Sequence, residues 1–353
     1  MQRRRDERIM SMEKKMTIKE IAKLSGVSPT AVSFVLNGKN GVSELTRQKV
    51  LSVIEMTNFV PNAASKRLTM KKSFNVALIY PVSASPFTDM FYCEIAAGLT
   101  EYLTENKYNV VFVPIKAPSL TEVPDIIKIQ DADGAIFLQG VDKLLLDKLD
   151  EMDFPYIFID IHENDTKKIH VSLDSEKLVY EAARYFISHG HEKLAFLGSD
   201  WLPGYYIRCF NGYQKALGES GLGIMPGWIQ TGANDEEGVY RCMERILSSP
   251  DMPTAVCCMS DMQAIQGIRY CQEKGFHVPE DLSFIGIDDI VLSRYTTPPL
   301  TTLTYDKPGM GKLAGELLLK KIDGEERNSH IITEFGVAER KSVMDLRNGR
   351  STS

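Results

Sequence analysis

Two aspartates that directly end apolar runs, with hydroxyls and aromatic rings at neighbouring run ends, are the residues here best suited to holding a ligand. The runs YIFIDI (156–161) and LSFIGID (282–288) put Asp160 and Asp288 at the carboxyl ends of predicted strands. VALIYP (76–81) runs into a loop carrying Ser83 and Phe87, LAFLGS (194–199) into Trp201 and Tyr205, and TAVCCMS (254–260) into Ser260. In open parallel sheets, ligands bind beyond the carboxyl ends of the strands. Carboxylates accept paired hydrogen bonds, hydroxyls give and take them, and aromatic faces stack, a combination that suits a polyhydroxylated small molecule. Asp261 and Asp289, one place further along, read as helix caps.

Catalytic chemistry has no comparable signature. Neither a nucleophile elbow, a phosphate loop nor a zinc motif occurs, and the histidines (His162, His170, His189, His191, His277, His330) lack ligand spacing. His189-Gly190-His191 reads as a helix end with its glycine cap. Cys93, Cys209, Cys242, Cys257, Cys258 and Cys271 show no CxxC pairing, so buried thiols in a reducing compartment are expected. The expectation is therefore no enzyme, no metal and no cofactor. The N-terminus, MQRRRDERIMSMEKK, has charges without an apolar signal region, and no run reaches membrane-spanning length. This predicts a cytoplasmic protein with no membrane partner and a disordered extension over 1–15, in which Met10, Met12 and Met16 are alternative starts.

A second constellation precedes these strands. In TIKEIAKLSGVSPTAVSFVLN (17–37), Thr17 caps a short helix with Ile18, Ile21, Ala22 and Leu24 on one face. Gly26 supplies the turn, Ser28 caps a second helix and Pro29 occupies its first position. That helix turns Val32, Val35 and Leu36 inward and leaves Thr30, Ala31, Ser33 and Phe34 outward. SELTRQKVLSVIEMTN (43–58) forms a third helix, with Leu45, Val50, Val53 and Ile54 closing a three-helix core. Two short helices about a glycine turn are the geometry that places the second helix in a DNA major groove. Charge agrees. Residues 1–72 carry 15 Lys and Arg against 6 Asp and Glu, while the whole chain of 353 residues carries 41 against 47. A basic head attracts phosphate and an acidic body is repelled by it.

The elements that position the aspartates form two series of apolar strands alternating with helices. The first is 76–81, helix 89–106, 109–115, 134–140 and 156–161. The second is 194–199, a helix near 205–218, 254–260, helix 261–274 and 282–288. Such alternation predicts two α/β lobes of doubly wound parallel sheets. LTTLTYDKPGMGKLAGELLLKKI crosses back to the first lobe and HIITEFGVAERKSV returns to the second. The expected division is an all-α helix-turn-helix head over 16–60, a hinge helix and linker over 61–73, a core over 74–345 and a tail over 346–353. Within the core, the N-lobe takes 74–172 and 305–331, and the C-lobe 173–304 and 332–345.

These runs carry a resemblance. TIKEIAKLSGVSPTAVSFVLNGK, VSELTRQKV and FVPNAASKRL resemble the DNA-binding domain and hinge of the LacI/GalR (lactose/galactose repressor) family. PTAVCCMSDMQAIQGI, GFHVPEDLSFIGIDDI and PPLTTLTYDKPGMGKLAGELL resemble its periplasmic-binding-protein-like core. The resemblance spans about 17–343. It implies a transcription regulator, a homodimer on a palindromic operator, whose DNA affinity is changed by a small effector. Pro29, Thr30 and Phe34 take the family's base-reading positions, with Asn37 beside them; Thr17, Ser28 and Ser33 take phosphate-anchoring ones. Asn62 to Leu68, including Ser65, matches the hinge helix, and Leu68 the leucine that wedges into the minor groove. Phenylalanine cannot donate hydrogen bonds but can touch a thymine methyl, so Phe34 sets this chain apart from Arg-bearing relatives.

Asp160 and Asp288 fit the family's effector-binding positions, and Ser260 stands where sugar binders often have Asn. The family's gripping arginine falls at Cys209, with Arg208 one place away. The expected effector is a sugar or sugar phosphate that releases a repressor of carbohydrate uptake or catabolism genes. The second reading is a catabolite-control regulator that needs a phosphorylated carrier protein or corepressor. With ten residues after Val343 and no leucine heptad, a dimer rather than a tetramer is expected.

Overall fold

The computed structural model describes residues 16–36, 39–59, 72–116, 121–161, 168–325, 328–332 and 334–349. The chain separates into two compact units, Met1–Ser73 and Phe74–Ser353. In the first, α1 (Ile18–Ser25), α2 (Pro29–Leu36) and α3 (Glu44–Thr57) enclose Ile21, Ala22, Val32, Val35, Val50, Val53 and Phe59. Thr17 opens α1 with a reciprocal capping box: its hydroxyl accepts the Glu20 N–H, and its own N–H donates to the Glu20 carboxylate. Gly26 closes α1 at φ 66°, a left-handed conformation that glycine adopts at no steric cost. Two expected core residues lie elsewhere: Leu24 is 59% and Leu45 66% exposed. On α1 the stripe runs 18, 21, 22, 25, so Ser25 is buried in the place assigned to Leu24.

The second unit holds two six-stranded sheets. The first joins β1 (Asn75–Pro81), β2 (Asn109–Ile115), β3 (Gly134–Leu138), β4 (Tyr156–Ile159), β5 (His170–Leu173) and β11 (His330–Ile332) in the order β11-β5-β4-β3-β1-β2, all parallel. The second joins β6 (Leu194–Leu197), β7 (Ile229–Gln230), β8 (Ala255–Cys258), β9 (Ser283–Ile287), β10 (Thr301–Thr304) and β12 (Gly336–Ala338) in the order β12-β10-β9-β8-β6-β7. Only β12 runs antiparallel there. β1 and β3 are almost wholly buried, as strands covered on both faces by helices must be. The short strands β5, β7, β10, β11 and β12 are additions to the elements read from the sequence.

Helices α4 (Met90–Glu105), α5 (Asp125–Lys128) and α6 (Lys143–Glu151) cross between strands of the first sheet. α7 (Ser175–Ser188), α8 (Pro203–Glu219), α9 (Glu236–Leu247) and α10 (Asp261–Glu273) serve the second. α11 (Lys307–Ile322) follows β10 yet packs on α4, β3, β4 and β5, so the chain does cross back to the first lobe. The contact is glycine-mediated: a Cβ on Gly311 would stand 2.0 Å from the Ile95 carbonyl oxygen, and one on Gly98 2.0 Å from that of Pro308. Both lobes have their topological switch at the first strand, whose two successors lie on opposite sides. The crevices for a ligand therefore open beyond β1 and β3 and beyond β6 and β8.

Candidate functional site

In the head, Pro29 and Thr30 stand exposed at the start of α2. The Ser28 hydroxyl accepts the Ala31 N–H at 3.1 Å and keeps its proton to give an anion at the helix N-terminus, whereas the Thr17 hydroxyl donates to the Glu20 carboxylate at 3.0 Å within its capping box. Ser33 and Phe34 are half-buried. Phe34 departs from the outward-facing expectation: its ring packs on Gly41, where a Cβ would come within 3.1 Å of it. An apolar ring gains more from the loop between α2 and α3 than from water. Asn37, Asn62, Ser65 and Leu68 lie outside the described residues.

The core places its acids one strand beyond each switch point, at the ends of β4 and β9. Asp160 leaves β4 at φ 62° and is buried; its carboxylate accepts the Tyr92 hydroxyl at 2.5 Å. Gln139, which ends β3 at φ 66°, donates its amide to the same phenol oxygen at 2.9 Å. Asp288 leaves β9 at φ 112° and accepts the Tyr305 hydroxyl at 2.5 Å. Burial, with help from the Asp261 charge, holds the Asp288 carboxyl well above the usual carboxylate range, against the lowering effect of Tyr305 and Lys307. Tyr92 and Tyr305 are raised by burial first and then by Asp160 and Asp288 respectively, Tyr205 by burial, then Cys209, then Asp288 and Asp160, and Cys209 by burial. Tyr205 donates to the Met259 carbonyl at 3.1 Å.

At the rim, Trp201 is 67% and Phe87 68% exposed, Phe87 leaning on Phe112 with ring centres 4.9 Å apart. Ser83 is exposed beside it. Arg208 is half-buried, and its Nε is fully buried with no partner among the described residues. A buried donor left without an acceptor is a place a ligand oxygen can fill. Asp160, Asp288 and Gln139 could thus hold hydroxyl-rich ligands through two acids and an amide. No group of three or more His, Cys, Asp or Glu suited to a metal ion occurs among the described residues.

Two family matches fall one in each compact unit. The family of bacterial regulatory proteins, lacI family, matches residues 17–62, and the periplasmic binding protein-like domain matches 183–343. The transcriptional repressor PurR of Haemophilus influenzae is 31% identical over 345 residues, covering 94% of this chain and 99% of its own. The chain belongs to the LacI family. The ribose operon repressor of Haemophilus influenzae is 29% identical over 334 residues, with the same coverage of both chains. The lac repressor dimer bound to operator and the anti-inducer ONPF shares the fold, with a TM-score of 0.81 at 22% identity over 94% of this chain and 100% of that one. This LacI-family member is a DNA-binding transcriptional repressor, in a family that binds operator DNA and small-molecule effectors. It is a regulator and not an enzyme, as its relatives are.

Several residues in this repressor act otherwise than their sequence position suggests. Ser260 caps α10, accepting the Gln263 N–H at 3.3 Å. Asp261, expected to cap, is instead a fully buried clasp: it accepts from the Ile290 N–H at 2.9 Å and from the Ser293 and Thr302 hydroxyls at 2.5 Å each. Asp289 pairs with Arg340 at 2.5 Å and Arg294 at 3.6 Å rather than capping a helix. Cys93 is exposed while the other five thiols are buried. Tyr92, Tyr305 and Lys307 join the cleft without having been singled out as ligand residues, whereas Gln139 stands at the end of the strand expected over 134–140.

Proposed function

We propose that this repressor controls carbohydrate uptake or catabolism genes, binds a palindromic operator as a homodimer in the cytoplasm, and is released by an uncharged sugar in the cleft. In this reading 16–60 is the DNA-binding domain, 61–73 the hinge and 74–345 the effector-binding core. The observation that carries it is the pair of carboxyls, Asp160 and Asp288, each on a left-handed residue at a strand end and each already satisfied by a phenolic hydroxyl at 2.5 Å. Sugar hydroxyls offer the same donor. A phosphate would bring negative charge against Asp160, whose charge already bears on Tyr92, Tyr205 and Tyr305, and this favours a neutral ligand over a sugar phosphate. Arg208 remains to grip a ring or hydroxyl oxygen, and Trp201 to cover one sugar face.

The carrier-protein reading rests on Ser260-Asp261 and on cysteine at the family's arginine position, Cys209; of these, Ser260 and Asp261 already have structural work as cap and clasp, which favours the sugar reading. Dimerisation draws support from exposed Met262, Val291, Leu292 and Tyr295, which lie on the two segments that the Asp261–Ile290 bond joins. Fluorescence tests the ligand directly, because the only other tryptophan, Trp228, is 3% exposed and packed in the second lobe. Neutral sugars should shift the Trp201 emission in a saturable way and Trp201→Phe should abolish the response. A response to sugar phosphates or purines with none to neutral sugars would refute this reading.

A further inference from the structure

Lys307 begins α11, a helix of the first lobe, yet its ammonium reaches into the second. The residue is 2% exposed. Its Nζ donates to the backbone carbonyl of Asp288 and lies 3.5 Å from that of Asp289. On the first-lobe side it stands 3.6 Å from the Glu94 carboxylate of α4 and 5.5 Å from the centre of the Tyr305 ring. An ammonium enters a protein interior only where acceptors are built for it. The two carbonyls it takes belong to consecutive non-glycine residues at φ 112° and 46°, a bend that side chains disfavour and that persists only where neighbours hold it. This bend turns the Asp288 carboxyl onto Tyr305 instead of continuing β9.

We propose that Lys307 is a positioning residue of the cleft: its buried ammonium ties the end of β9 to α4 and α11, holding Asp288 in its ligand-facing geometry and setting the separation of the two lobes. Its consequence for regulation rests on the reading of Asp288 as an effector ligand. A sugar hydroxyl that displaces Tyr305 from Asp288 acts on the backbone that Lys307 holds. Occupancy of the cleft is thereby transmitted to two helices of the first lobe through one buried side chain.

The test needs neither sugar nor operator. Spin labels are placed on full-length protein at Lys128→Cys in α5 and Arg241→Cys in α9, both exposed, in a Cys93→Ser background whose remaining cysteines are buried. Labelled chains are diluted with unlabelled ones, and pulsed dipolar spectroscopy reads the distance between lobes. Lys307→Met should raise the population at longer distances about tenfold. Lys307→Arg should restore the parent distribution, and Glu94→Gln should move it the same way as Met but less. A Met variant with a lower unfolding midpoint and an unchanged distribution would make Lys307 a packing residue and overturn the proposal. If the Met variant does not fold, an unchanged distribution in Glu94→Gln overturns it equally. Failure of the sugar reading would appear separately, as a parent protein whose Trp201 ignores sugars.

Discussion

Asp261→Asn should make the stability of the core less dependent on pH, by an amount that follows from the surroundings of this carboxyl. Burial raises Asp261 from 3.8 to about 6, against the lowering effect of its hydrogen bonds to Ser293, Thr302 and Ile290. The folded protein therefore binds a proton that the unfolded chain releases between these values. The stability contributed by the protonated form is complete below pH 3.8 and is lost as pH rises through 6. A displacement of about two units corresponds to about 3 kcal/mol. Asparagine removes the titration and keeps the contacts. Its carbonyl accepts from Ile290 and Ser293, and its amide faces Thr302, whose hydroxyl turns to the Leu303 carbonyl at 3.3 Å. His191 titrates in the same window with the opposite sign: burial lowers it to about 4, so its contribution is lost as pH falls from 6.5. It acts on both proteins and cancels in their difference. Urea unfolding followed through Trp228 at pH 4 and pH 7.5 should show the variant gaining about 2.4 kcal/mol of this relative to the parent as pH rises, because at pH 4 the unfolded carboxyl is already partly ionised. A difference that stays constant, or moves the other way, would refute the reasoning.

Other substitutions probe the rest of the account. Gly311→Ala drives a methyl into the Ile95 carbonyl, prising α4 from α11, and should cost about 3 kcal/mol by denaturant unfolding. Asp160→Ala removes a charged acceptor from the cleft and leaves the Tyr92 hydroxyl without it, so binding of the responding sugar should weaken about 10- to 100-fold by Trp201 titration. Tyr295→Asp combined with Val291→Asp should convert the sedimenting dimer to monomer, since both apolar side chains are more than half exposed in the second lobe.

The sequence exposes what depends on local periodicity and chain ends. Asp160 and Asp288 were legible because each closes an apolar strand, and α1 and α2 because cap, turn glycine and proline fall at fixed offsets. Leu24 and Leu45 were misread where hydrophobicity was weighed above phase: their neighbours fill the core and these two face outward. Tyr92, Tyr305 and Lys307 gave no local signal, because Tyr92 lies on a helix remote in sequence from its carboxylate partner and Lys307 is an ordinary helix-start residue until α11 meets β9. The edge strands β7, β11 and β12 span two or three residues, too few for any alternation to register. Phe34 looked exposed because α2 alone leaves it outward; the loop holding Gly41 covers it.

The central claim is a repressor whose hold on a palindromic operator is released by an uncharged sugar. Selection of DNA from a random pool by the full-length protein, with and without a mixture of neutral sugars, tests it most directly. Enrichment of a palindrome that disappears when the mixture is added is the predicted result. Enrichment that the sugars leave unchanged, or that appears only when sugars are present, would contradict it.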